Sequence, residues 1–154
     1  MGSFKLRRGI TGIFESAELV PPAIPFGEFR SVVQRLATAT GLRVQDATSA
    51  GVTPNFHHAT LVSSDESVAI LCNHTQRVVA FAVAPISYQQ LTFVDRAYLA
   101  GKLAEMWPCE IVASEELERE PAHADITDLA PCEQRYAADQ ITRRVGDFVY
   151  NWWD

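Results

Sequence analysis

Three short runs rich in Val, Ile, Leu and Phe dominate the centre of the chain: Phe56 to Val62, Ser67 to Asn73 and Val78 to Ala84. Polar links separate them, Ser63-Ser64-Asp65-Glu66 first and His74-Thr75-Gln76-Arg77 second. β-Branched and aromatic residues in runs of this length suit a pleated, buried surface, and links this short join strands that lie side by side. The sequence therefore predicts an antiparallel β-meander, which the remaining segments must cover.

The covering elements are helical by periodicity. From Glu28 to Thr40 the residues Phe29, Val32, Val33, Leu36, Ala37 and Thr40 recur at helical spacing, and Gly41 stands where a glycine ends a helix. Leu42 to Gln45 reads as a short strand, and Leu91 to Val94 as another. Asp95 is placed to cap a helix through Met106, with Leu99, Leu103 and Met106 on its apolar face and Pro108 stopping it. Cys109 to Val112 reads as a strand and Ser114-Glu115-Glu116-Leu117 as a capped helical turn. Pro131 fits the first position of a helix to about Asp139. Thr142 to Trp153 reads as a terminal amphipathic helix with Val145, Phe148, Val149 and Trp152 on one face, which leaves Trp153 as a core edge or a binding anchor. Residues 1–27, broken by Pro21, Pro22 and Pro25, form an N-terminal segment laid over the domain or partly loose. The expected fold class is α+β, one domain over 1–154, with the meander packed against two or three helices.

Composition sets the setting. A chain of 154 residues with 47% hydrophobic and 21% charged residues can bury a core of its own. Cys72, Cys109 and Cys132 are an odd number without a CxxC pair, which points to reduced thiols in the cytoplasm. Neither a signal peptide nor a membrane span is expected, since no apolar run approaches the ~20 residues such a span requires. The net charge of −6 is uneven, with nine acidic residues from Glu105 to Glu133 opposed only by Arg119. Nucleic-acid binding demands the opposite sign. An acidic stretch serves either as a solvated face or as a docking surface for a basic protein partner. Its partner-binding candidates are Glu105, Glu110, Glu115, Glu116, Glu118, Glu120, Asp125 and Asp128.

One constellation could carry chemistry. A hairpin symmetric about Asp65-Glu66 pairs His57 with His74 and Ala59 with Cys72, bringing His57, Cys72 and His74 to one face of the sheet. Two imidazoles and a thiolate can ligate zinc, and a Cys beside a His can act as a nucleophile. The plainer reading has rim histidines and a small apolar cysteine in the core. No fourth ligand has a recognisable spacing and no GxGxxG, GxxxxGK[ST], HExxH or GxSxG motif occurs, so no cofactor, no metal and no catalytic residue is expected.

Val145-Gly146-Asp147-Phe148-Val149-Tyr150-Asn151-Trp152-Trp153-Asp154 resembles the C-terminal end of a group of small actinobacterial proteins. Phe56-His57-His58-Ala59-Thr60-Leu61, Val79-Ala80-Phe81-Ala82 and Leu91-Thr92-Phe93-Val94-Asp95 are similar to the same group. The resemblance implies an immunity protein, the dedicated inhibitor that neutralises a secreted polymorphic toxin in competition between bacteria. Two readings follow: a non-enzymatic antitoxin that binds and blocks a cognate toxin domain, or a small thiol- or metal-dependent enzyme using His57, Cys72 and His74.

Overall fold

A computed structural model describes residues 4–140 and 144–153. Strands β1 (Arg43–Thr48), β2 (Phe56–Val62), β3 (Ser67–Asn73), β4 (Val78–Val83) and β5 (Phe93–Val94) lie side by side in chain order, each antiparallel to the next. β6 (Glu110–Ile111) runs parallel to β4 and shares its outer edge with β5. The sheet is therefore mixed, and mostly antiparallel. The α+β architecture is the one expected, and β2 and β3 span the expected residues.

Helices α1 (Phe26–Thr40) and α2 (Ala97–Met106) cover one face of the sheet. Phe29, Val32, Val33, Leu36 and Ala37 of α1, with Leu99 and Leu103 of α2, pack on Ala59, Leu61, Ile70, Cys72, Val79 and Phe81. Each large apolar side chain buried this way contributes roughly 1.5–3 kcal/mol before the entropy of ordering it is subtracted. Gly41 ends α1 at φ 76°, a left-handed conformation that glycine adopts without strain. α2 starts later than its sequence suggests. Asp95 does not cap it: the carboxylate accepts the N–H and hydroxyl of Ser114 at 2.8 and 2.7 Å and so opens the next helix, α3 (Ser114–Glu118).

The opposite face carries a second layer. Here Phe4, Leu6 and Ile10 lie over Phe56, Leu71, Val78 and Ala80, beside α3, α5 (Pro131–Ala138) and α6 (Val145–Val149). Burial on both sides explains why β3 and β4 read as nearly unbroken apolar runs rather than alternating ones. Residues 4–13 are thus laid over the domain, whereas the turn of helix at Ala17–Leu19 buries nothing.

The C-terminus corrects the expected long helix. Within the described residues α6 is five residues long, and Tyr150 to Trp153 leave it extended; Thr142 lies outside the described residues. Buried polar groups draw the chain out of the helix. Asn151 lies inside the protein, where its N–H and side chain find partners on Asn55, Thr11 and Phe148. Trp153 takes the core-edge role, buried against Tyr136 and Phe148, whereas Trp152, expected on the buried stripe, is only partly covered. Among the described residues no helix is long and apolar enough to cross a membrane.

Candidate functional site

The hairpin β2–β3 turns one residue earlier than its symmetric reading. Ser63 N–H bonds Glu66 O at 2.8 Å, Val62 faces Ser67, and the register pairs His57 with Cys72 and Ala59 with Ile70. His57 and Cys72 therefore share a face, as expected, but as direct cross-strand partners, while His74 falls beyond the end of β3. The imidazole of His57 is committed at both nitrogens: Nδ1 accepts the N–H of Ala50 at 2.9 Å and Nε2 donates to Ile24 O at 2.7 Å. That arrangement fixes the neutral tautomer, and Phe26 and Phe29 flank the ring, each with centroids 5.5 Å away. Burial pushes the His57 imidazole down from its ordinary value, and the neighbouring His74 adds to the shift. The Cys72 thiol is sealed in the core, and its burial pushes the pKa far above the ordinary thiol range. His74 turns its Nδ1 to Asn55 O at 2.6 Å. His57 and His74 thus tie loops to the sheet, and Cys72 packs in the core. Among the described residues no group of three or more His, Cys, Asp or Glu is arranged to hold a metal ion.

The acidic stretch divides into three kinds of residue. One kind builds helix starts. Asp125 accepts the N–H of Ala122 at 2.6 Å at the start of α4 (His123–Thr127), and Glu133 that of Ala130 at 3.0 Å at the start of α5. Asp147 accepts that of Arg144 at 3.0 Å ahead of α6. A carboxylate three residues into a helix satisfies an N–H that would otherwise lack a partner there. Others hold the second layer together. Arg119 forks onto Asp125 at 2.8 and 2.9 Å and reaches Glu116 at 3.2 Å, while Glu116 takes the N–H of Phe4 at 2.8 Å. Glu110 pairs with Arg7 and Glu118 with Arg144, whereas Glu105 lies exposed on α2, on the other face of the sheet, 3.9 Å from Lys102 of the same helix. Glu133, fully buried, also accepts from Gly9, Thr11 N–H and the Thr11 hydroxyl. Glu115, Glu120 and Asp128 are the exposed remainder.

A cleft of about 470 Å³ opens between the C-terminal segment and the loop after β4. Its walls are Gln89, Leu91, Asp139, Gln140, Arg144, Asp147 and Tyr150 to Trp153. Buried amides set the position of the segment that forms one wall. Asn55 Nδ2 donates to Val149 O at 3.1 Å, and Asn73 Nδ2 to Val149 O at 2.9 Å and Ile10 O at 2.8 Å. The Tyr150 hydroxyl donates to Val78 O at 2.8 Å. Trp152, one of the wall residues, meets Phe56 and Tyr88 edge-on, at 5.3 and 5.5 Å between centroids. Tyr88 is 67% exposed, on a turn closed by Gln90 N–H to Ser87 O at 3.0 Å. The next residue, Gln89, has φ 58°, a left-handed conformation that strains a residue with a side chain.

The sequence reading misses this cleft. The Ile86 to Gln90 segment carries no periodic signal, and a terminal helix would have turned Trp152 inward and Trp153 outward. Comparison with protein-family models, with curated proteins and with solved structures gives no match.

Proposed function

We propose that this chain is a non-enzymatic binding protein, an immunity protein that neutralises a cognate secreted toxin domain in the cytoplasm by covering its active-site mouth. The observation that carries this reading is Tyr88, largely exposed and packed against Trp152, itself a wall residue of the neighbouring cleft. Aromatic residues in such settings are where binding energy concentrates, with polar groups at the rim supplying orientation. The resemblance of Val145 to Asp154 to the ends of small actinobacterial immunity proteins supports the same function, and Asp147 and Tyr150 to Trp153 form part of the cleft wall.

The structure of the acidic stretch divides the labour further. Glu115, Glu120 and Asp128 project to solvent, where they would speed encounter with a basic toxin surface. Glu116, Glu118 and Asp125 serve mainly to hold the second layer. An interface that blocks an active site buries about 1,600 Å² in total, within reach of a domain this size.

The test is co-expression. The toxin domain encoded by the neighbouring reading frame should arrest growth alone and lose that effect when this chain is co-expressed, and the two should purify as a stoichiometric complex. Growth arrest that persists despite soluble chain overturns the proposal.

A further inference from the structure

We infer that β1 is a dimerisation edge: two copies of the chain pair their β1 strands antiparallel across a two-fold axis at Val44, joining two sheets into one. This inference is independent of the inhibitor reading above. β1 is the outermost strand of the sheet, with β2 on one side and, among the described residues, no strand on the other. Among those residues its backbone makes no hydrogen bond outside the ladder with β2. An edge strand turns half of its N–H and C=O groups outward, and a second strand satisfies them directly.

The side chains select a second copy as that strand, and they select one register. β1 carries one extra residue, Gln45, between Val44 and Asp46 relative to β2. With Gln45 set aside as the bulge, the axis places Val44 against its own copy, Arg43 against Asp46 and Leu42 against Ala47. Leu42, Val44 and Ala47 are partly covered members of the α1–α2 layer, so apolar positions meet apolar positions there. Strand alternation turns Arg43 and Asp46 to the other face, where both are exposed. Neither forms a salt bridge within the described chain. The carboxylate of Asp46 acts on the His58 imidazole, which burial keeps neutral at neutral pH. Moving the axis to Arg43 or to Asp46 sets a like charge against its own copy, which destabilises the pairing. A charge on an edge guards it against most strands, and this one admits the copy that supplies Arg43.

A strand of six residues makes a small interface, so the dimer is weak and concentration-dependent. The test is analytical ultracentrifugation of the full chain up to about 1 mM, for wild type, Arg43→Glu, Asp46→Arg and the two substitutions together. Both positions are exposed, so the variants keep the fold. The wild type should associate to a dimer and no further, because the axis uses up the one open edge of each copy. Each single reversal sets like charges opposite one another on both sides of the axis and should weaken the dimer about tenfold. The double reversal restores both opposite-charge pairs and should dimerise about as well as wild type. An equimolar mixture of the two single variants should do the same, because the acidic pair of one copy then faces the basic pair of the other. A wild-type chain that stays monomeric up to that concentration overturns the pairing and leaves the edge to the strand of another protein. A dimer indifferent to the single reversals, or a mixture no more associated than its components, also overturns it.

Discussion

Asn55 and Asn151 hold each other in both directions: Asn151 N–H donates to Asn55 Oδ1 at 2.8 Å, and Asn55 N–H donates to Asn151 O at 3.0 Å. One residue precedes β2 and the other follows α6, so this pair joins the sheet to the C-terminal segment. The Asn55 amide also reaches Ile10 O and Thr11 O at 3.3 and 3.2 Å, which adds the N-terminal segment to the junction. Asn55→Ala leaves several buried donors and acceptors without partners and should cost about 3 kcal/mol. In a domain of this size that lowers the melting temperature by roughly 10 °C. A shift of only a degree or two by calorimetry would show that water replaces the amide.

Two glycines should respond in opposite directions. A Cβ on Gly146 would run into the Phe93 ring and lie 3.1 Å from Leu117 O, whereas one on Gly101, within α2, meets nothing within 4 Å. Gly146→Ala should destabilise by about 1–3 kcal/mol through overpacking. Gly101→Ala should stabilise by about 0.5–1 kcal/mol, because it removes backbone freedom from the unfolded chain and improves helix propensity. Denaturant midpoints of the two variants, measured side by side, check both signs.

Stability should fall as the solution is acidified through the histidine range. Burial lowers the pKa of His57 and of His58, so both stay neutral in the folded protein at a pH where the unfolded chain has begun to protonate. The unfolded state then binds more protons, and stability falls as pH drops below about 6.5. Below the ordinary carboxylate range a second decline follows. Glu28, Asp95 and Asp125 are held low by hydrogen bonds from Arg77, Ser114 and Arg119 respectively, and they lose that stabilisation when protonated. Melting temperatures from about pH 2 to pH 8 check both declines. The His58→Gln variant should show a shallower slope around pH 6, and an unchanged slope would assign the effect elsewhere.

Thiol reactivity should separate the cysteines. Cys72 is buried and its thiol is held far from ionisation, while Cys109 and Cys132 are half-buried with smaller upward shifts. An aromatic disulfide reagent should modify Cys109 and Cys132 slowly in the native protein and Cys72 only after unfolding. Rapid native-state labelling of Cys72 would show that the sheet core opens far more readily than its packing implies.

How much of this was legible in the sequence follows from which forces act locally. α1 and the β2–β3 hairpin read correctly because their apolar periodicity, the Gly41 stop and the polar turn all agree. The register slipped because Ser63 to Glu66 closes on Ser64-Asp65, which a symmetric reading centred one residue later. Asp95 misled because an Asp before an apolar run serves equally well the helix that follows and a distant helix brought alongside. The second layer was harder. The helical turn at Ser114 to Leu117 was legible, though not that the remote Asp95 opens it; α6 is five residues long, too short to show a helical stripe, and its start depends on Asp147. The cleft was not legible at all, because it depends on Asn55, Asn73 and Asn151 meeting from remote parts of the chain.

The central claim is that Tyr88 and the neighbouring cleft bind the toxin domain while the exposed acids only speed its arrival. Association and dissociation rates should be measured by surface plasmon resonance, with the proposed toxin partner, for wild type, Tyr88→Ala and the triple reversal of Glu115, Glu120 and Asp128 to Lys. Tyr88→Ala should speed dissociation at least about tenfold with its melting temperature retained, as loss of a central aromatic contact does. The triple reversal should slow association and flatten its salt dependence with little change in dissociation. A Tyr88→Ala variant that dissociates at the wild-type rate would contradict the account.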